Sequence, residues 1–222
     1  MATRILFALV LSATLAACGG GGDSPPQAVQ AEQACRVSIL LDGDSTMWGY
    51  APGGGGARAT TYPESELQRL MDVRFGAGVV TVRTGAVSGS TSYNADAQPV
   101  DADIVVYNSG INDAYVQMPL DVYAGNLRRF AARAGTVVLA TPLPVSTRDD
   151  TAYSAAMLAV AAELGATVTD TRAYAISRTD WWQIATDGVH PSASGYALLA
   201  GEVLAPALVP MVESRCQDQV AR

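Results

Sequence analysis

The sequence predicts a layered α/β fold with a parallel sheet, on two observations. Short apolar runs, mostly β-branched, recur along the chain as buried parallel strands do. Between them lie stretches with apolar residues at helical spacing and a polar opposite face. Strand and helix alternating in this way make the helices right-handed crossovers packed on the faces of the sheet.

In chain order, strands are predicted over residues 36–41, 79–82, 103–107, 136–140 and 166–169, each a short run rich in Val, Ile, Leu or Thr. Helices are predicted over 62–75, 119–134 and 152–164. A last helix is expected from Pro191, whose fixed φ suits a first turn, to near Leu208. The stretch between the fifth strand and Asp187 has no decisive periodicity. Three polar segments directly follow strands: Gly43-Asp44-Ser45 after the first, Gly85 to Thr91 after the second, and Asn108 to Asp113 after the third. In an open parallel sheet all three emerge at the carboxyl edge, where such folds build their sites. Asp187-Gly188-Val189-His190 comes later, and its arrival at that edge is an inference.

Composition narrows the chemistry. All 14 basic residues are arginine, there is one histidine, and there are three cysteines. Without lysine there is no Walker A loop, no Schiff-base or pyridoxal amine, and no serine-lysine hydrolase. One histidine and three scattered cysteines give no zinc cluster, so no metal and no cofactor is expected. What remains is the oxygen chemistry of Ser, Thr, Asp and Glu, with His190 the sole imidazole able to serve as a general base near neutrality. The formal charge of −7 makes the chain a poor nucleic-acid binder.

The amino-terminal stretch is a targeting segment rather than a fold element. Arg4 precedes an apolar run over residues 5–17, which matches the hydrophobic region of a secretory signal and is short for a bilayer span. Leu15-Ala16-Ala17-Cys18 resembles the lipobox of bacterial lipoproteins, in which cleavage leaves the cysteine to be lipidated. That resemblance implies a signal peptide over 1–17, a lipid anchor on Cys18, and, because Gly19 follows, an outer-membrane address facing the periplasm; ordinary secretion is the alternative. Membrane contact would come through the lipid anchor only. Residues 18–34 have little to bury and read as a flexible tether, and 35–216 as one domain followed by a tail over 217–222. Losing residues 1–17 removes Arg4 and no acid, moving the charge from −7 to −8. If Cys18 carries lipid, two thiols remain, Cys35 and Cys216, and an oxidising compartment would pair them; the alternative is two unrelated buried thiols.

Taken together, the Gly43-Asp44-Ser45, Ser88-Gly89-Ser90-Thr91, Gly110-Ile111-Asn112-Asp113 and Asp187-Gly188-Val189-His190 segments resemble the four blocks of the SGNH, or GDSL, hydrolase superfamily. Singly they are weak signals; in this order at strand ends they are strong. No Gly-x-Ser-x-Gly elbow is present, which makes the α/β-hydrolase family the poorer match. The resemblance implies a single-domain, three-layer α/β/α sandwich on a mostly parallel five-stranded, flavodoxin-like sheet. It implies Ser45 as nucleophile, His190 as base and then acid, and Asp187 as the carboxylate orienting the imidazole. It implies an oxyanion hole of the Ser45 and Gly89 backbone N–H groups and the Asn112 amide, with Gly85 the competing choice for the glycine.

Other residues have plainer readings. Asp44 and Asp113 are expected to brace loops rather than catalyse. Gly53 to Gly56 read as a mobile loop, since neither Lys nor a helix start follows in phosphate-loop fashion. Trp181 and Trp182 could line a cleft or pack beneath the last helix, and Trp48 and Tyr50 are expected to face the cleft. The function expected is a serine ester hydrolase acting on small-molecule or polysaccharide esters with short acyl groups, through an acyl-enzyme. Lysophospholipase, arylesterase or sugar O-acyltransferase activity is open on the same residues, and a non-catalytic binding lipoprotein is the alternative of another class.

Overall fold

The structure is a computed structural model, and it describes residues 35–221 apart from 54, 98 and 99. The proposed signal peptide, Cys18 and the tether lie outside the described residues. Five strands form one sheet: β1 (Val37–Gly43), β2 (Val80–Thr84), β3 (Ile104–Asn108), β4 (Val137–Ala140) and β5 (Thr167–Thr169). Their spatial order is β2-β1-β3-β4-β5 and every pairing is parallel. β1 therefore sits between β2 and β3, so the order reverses on either side of it and a crevice opens at its carboxyl end.

Both sheet faces are covered because the central strands alternate two apolar sets. On one face Ile39, Leu41, Ile104 and Val106 pack against Leu67 and Met71 of α2 (Pro63–Phe75) and Leu204, Leu208 and Val212 from the last helical segment. On the other, Leu40, Val105, Tyr107 and Leu139 meet Tyr123, Leu127 and Phe130 of α4 (Leu120–Arg133) and Met157 and Val160 of α5 (Thr151–Leu164). Sandwiching between helix layers explains why β3 is buried at all five positions. The helices α1 (Ser45–Trp48) and α3 (Ile111–Tyr115) are single turns at strand ends, and α6 (Thr171–Ser177) and α7 (Trp181–Ile184) fill the stretch whose periodicity was indecisive.

The last helix differs from expectation at both ends. Pro191 stays outside it: Ser192 is the N-cap, its hydroxyl accepting from Gly195 N, and α8 runs Ala193–Leu199. A π-helical turn over Ala200–Leu204 leads into α9 (Ala205–Val220), well past Leu208 and with Pro210 inside. Prolines at 206 and 210 look like stops in the sequence. The buried stripe Leu204, Leu208, Val212 keeps its four-residue spacing through them, and its packing on the sheet outweighs the lost backbone bonds. Cys35, just before β1, and Cys216 on α9 form a disulfide with Cα atoms 5.1 Å apart.

Candidate active site

Ser45 is presented by the turn that ends β1. Gly43 has φ +139, and a Cβ there would stand 2.1 Å from the Asn108 carbonyl oxygen, so only glycine lets the ends of β1 and β3 approach this closely. Asp44 then caps α1, its Oδ1 accepting from Thr46 N at 2.9 Å and from the Thr46 hydroxyl at 2.7 Å. Ser45 follows as the first helical residue, its N–H spared any intrahelical bond. Asp44 is fully buried, and burial first raises its carboxyl to about 6, against the lowering bonds from Thr46. It holds the turn, as expected.

The second and third loops are tied to each other. Asp113 is buried and accepts from Ser92 N at 2.9 Å, from the Ser92 hydroxyl at 2.5 Å and from Gly110 N at 3.0 Å. Burial raises its carboxyl above the usual range despite those bonds. The Asn112 amide donates to the Ser90 carbonyl at 2.8 Å, fixing its plane and leaving its second N–H. Between these anchors Gly89 borders the cleft with φ +80 and open space where a side chain would be. Gly85 is otherwise engaged, donating to Leu41 O at 2.8 Å and packing near Leu40.

The Asp187–His190 loop does reach the carboxyl edge. It arrives from α7, whose Trp181 is buried with Ile184 and Tyr196 in an apolar cluster above the sheet. Ser192 N bonds Ile184 O and Ser146 N bonds Gly188 O, both at 2.9 Å, pinning the loop at its base and middle. Gly188 has φ +78, and a Cβ there would lie 2.0 Å from Ser146 Oγ.

Within the loop Asp187 Oδ1 accepts from Val189 N at 2.9 Å and His190 N at 2.7 Å, and its Oδ2 lies 2.8 Å from His190 Nδ1. Burial pushes the Asp187 carboxyl up, but these bonds outweigh it and hold it below its usual value. An ionised carboxylate only accepts, so Nδ1 carries the proton and Nε2 is left with a lone pair. Nε2 stands 2.9 Å from Ser45 Oγ. Residues 145 positions apart thus form one hydrogen-bonded chain from carboxylate to hydroxyl. The ring of Tyr50 packs on the imidazole, with centroids 4.6 Å apart.

A cleft of about 670 Å³ opens beside this chain, bordered by Ser45, Tyr50, Gly89, Asn112, Arg148 and His190 among others. Gly53 and Gly55 from the glycine run form part of its rim. The run closes as a loop through an antiparallel bridge between Tyr50 and Arg58. Of the tryptophans, Trp181 packs inside, Trp182 is half exposed away from the cleft, and Trp48 stacks under the Arg58 guanidinium instead of facing the cleft. The loop after β4 carries no sequence motif, yet its Val145, Thr147 and Arg148 line the cleft. The signal was positional: the loop leaves the same carboxyl edge as the other three.

A model of the GDSL-like lipase/acylhydrolase family matches residues 43–198, more than two thirds of the chain. The chain belongs to this family. No curated protein sequence matches. Solved structures with the same fold include an acetylxylan esterase from Geobacillus stearothermophilus, 21% identical, with a TM-score of 0.63, covering 82% of this chain and 96% of that one. A lipase/acylhydrolase from Enterococcus faecalis is 22% identical with a TM-score of 0.66, covering 81% of this chain and 96% of that one. An α/β hydrolase from the metagenome of Lake Arreo is 20% identical with a TM-score of 0.63, covering 81% and 96%. This GDSL hydrolase is a carboxylic ester hydrolase with a parallel-sheet α/β domain.

Proposed function

We propose that this GDSL hydrolase cleaves short-chain carboxylic esters by serine catalysis. The observation that carries the reading is the 2.9 Å approach of His190 Nε2 to Ser45 Oγ, with Nδ1 held by Asp187 at 2.8 Å. His190 takes the Ser45 proton as Oγ attacks the ester carbonyl, and Asp187 stabilises the imidazolium that forms. The Ser45 and Gly89 N–H groups and the free N–H of the Asn112 amide receive the developing oxyanion. His190 then protonates the departing alkoxide, leaving an acyl group on Ser45. Water attacks that ester with His190 as base, releasing the carboxylic acid and restoring the serine.

Short acyl groups suit a cleft rimmed by glycines, and no element among the described residues covers it. The fold shared with an acetylxylan esterase is consistent with an acetyl group on a sugar. The same proposal places the enzyme at the bacterial envelope: signal peptide over 1–17, lipid on Cys18, tether to residue 34, and a domain from residue 35 facing the periplasm, whose last helix takes in residues 217–220 of the expected tail. Only a lipid anchor would join it to the membrane.

The test is a fluorophosphonate probe together with p-nitrophenyl esters of graded chain length. Wild type should be labelled and should turn over acetate or butyrate esters fastest, and Ser45→Ala should do neither. Equal labelling of Ser45→Ala would remove Ser45 as nucleophile, and a preference for long acyl chains would remove the short-chain assignment.

A further inference from the structure

Several cations of this acidic protein are neutralised. Arg58, Arg69, Arg74, Arg128, Arg172 and Arg178 each pair with a carboxylate. Arg148 differs. Among the described residues it makes no ion pair, although it lines the catalytic cleft. Its hydrogen bond is a long one, 3.3 Å from a terminal nitrogen to the Ile111 carbonyl, and its buried Nε has no partner.

The acids next to Arg148 in sequence are committed elsewhere. Asp149 accepts from Thr151 N at the start of α5, and Asp150 pairs with Arg172. Asp187, the carboxylate that also lines the cleft, is occupied by His190 and two backbone N–H groups. Asp150 feels the Arg148 charge without bonding to it, so this half-buried guanidinium with unused donors, in a cleft whose carboxylate is already taken, has no directly bonded anion.

The neighbour of Arg148 indicates what carries that anion. Its guanidinium lies 5.4 Å from the ring centroid of Tyr115, which is 73% exposed and also lines the cleft. An exposed aromatic face beside a planar cation can stack a sugar ring while the fork grips a carboxylate on that ring. The cleft is open, with glycine rims at Gly53, Gly55 and Gly89, so a glycan chain can run through it.

We propose that Arg148, with Tyr115 as a platform, selects esters whose alcohol half is a uronic-acid glycan, by pairing with its carboxylate. This rests on the serine-esterase reading for the reaction, while the binding it requires can be measured without turnover. Arg148 is a specificity-determining residue: it acts on the part of the substrate that does not react, and so carries a differential between charged and neutral alcohols.

The experiment compares a uronic-acid oligosaccharide with its methyl-esterified, neutral form, as ligands in calorimetry and, O-acetylated, as substrates. Wild type should favour the charged form by about tenfold or more in both Kd and kcat/KM, as a charge-assisted pair supplies. Arg148→Gln should bring both ratios to about one, and Arg148→Lys should keep part of the preference. In unmodified enzyme the preference should also shrink as salt rises, which needs no variant to fold. Equal binding of the two forms by wild type, or a ratio unchanged in Arg148→Gln, would overturn the inference whatever the esterase does. Tighter binding to phosphatidylglycerol vesicles than to the oligosaccharide would overturn the sugar assignment. Failure to hydrolyse any ester, with the binding preference intact, would count against the serine-esterase reading alone.

Discussion

In the proposed mechanism Ser45, Asn112 and His190 are ordinary side chains made reactive by what holds them. Asn112 shows this most simply. One amide N–H is spent on the Ser90 carbonyl, which sets the plane of the group, so an oxyanion donor at this position would need no reorganisation as charge develops. Asn112→Ala should therefore lower kcat by roughly 10²- to 10³-fold with a small effect on KM, since one oxyanion donor is worth about 3 kcal/mol in the transition state. Steady-state kinetics on p-nitrophenyl acetate would check this, and near-full activity would remove Asn112 from the oxyanion role. Tyr50 contributes at the same scale by packing its ring on the imidazole, and its own backbone carbonyl is fixed by the Tyr196 hydroxyl at 2.8 Å.

At the scale of elements, β1 stores a pH dependence. Asp42, its next-to-last residue, is buried with one carboxylate oxygen bonded to Gly43 N and the other unpartnered among the described residues. Burial raises its carboxyl from 3.8 to about 6, against the lowering pull of the Gly43 bond and the Arg133 charge, and Asp44 reaches about 6 mainly by burial too. A raised carboxyl is protonated in the folded state while the unfolded chain has already ionised. These two groups thus stabilise the fold below pH 4, and that stabilisation is lost as pH rises from about 4 to about 6, on the order of 1 kcal/mol per pH unit per group. Asp187 has the opposite sign, because its lowered carboxyl costs stability only in more acid solution. The thermal midpoint should accordingly fall between pH 4.5 and pH 7, and Asp42→Asn should flatten that slope; calorimetry at stepped pH measures both.

The same elements show what a sequence makes legible. The five strands could be read because β-branched runs such as Val105-Val106 and Val137-Val138 have few other uses, and their observed bounds differ from those expected by a residue or two. The Ser45, Asn112 and His190 segments could be read because each carries a motif. The loop after β4 could not, since Pro142 to Arg148 has neither periodicity nor motif and acquires meaning only when the sheet brings it beside the other three loops. The end of α9 was hidden for a different reason: Pro206 and Pro210 signal a stop locally, and tertiary packing of Leu208 and Val212 overrides them.

For the whole molecule the problem is convergence. The parallel sheet places the loops after β1, β2, β3 and β4 at one edge, and α6 and α7 carry the chain back so that His190 meets Ser45. The Cys35–Cys216 disulfide joins the two ends of this domain across a sequence separation of 181. In the chain-entropy model a loop that long is worth about 5 kcal/mol, an upper figure for what the bridge adds. Gln219 doubles the staple, its amide accepting from Arg36 N and donating to Arg36 O. Closing the chain near β1 and α9 leaves the opposite, carboxyl edge to be shaped by loops alone.

If Ser45 and His190 act as one unit, removing either should abolish what removing both abolishes. The measurement is kcat for p-nitrophenyl acetate in Ser45→Ala, His190→Ala and the double variant. Equal losses in all three, on the order of 10⁴-fold or more, are predicted. A double variant whose loss is the product of the two single losses, or a His190→Ala enzyme that keeps most of its turnover, would contradict the account.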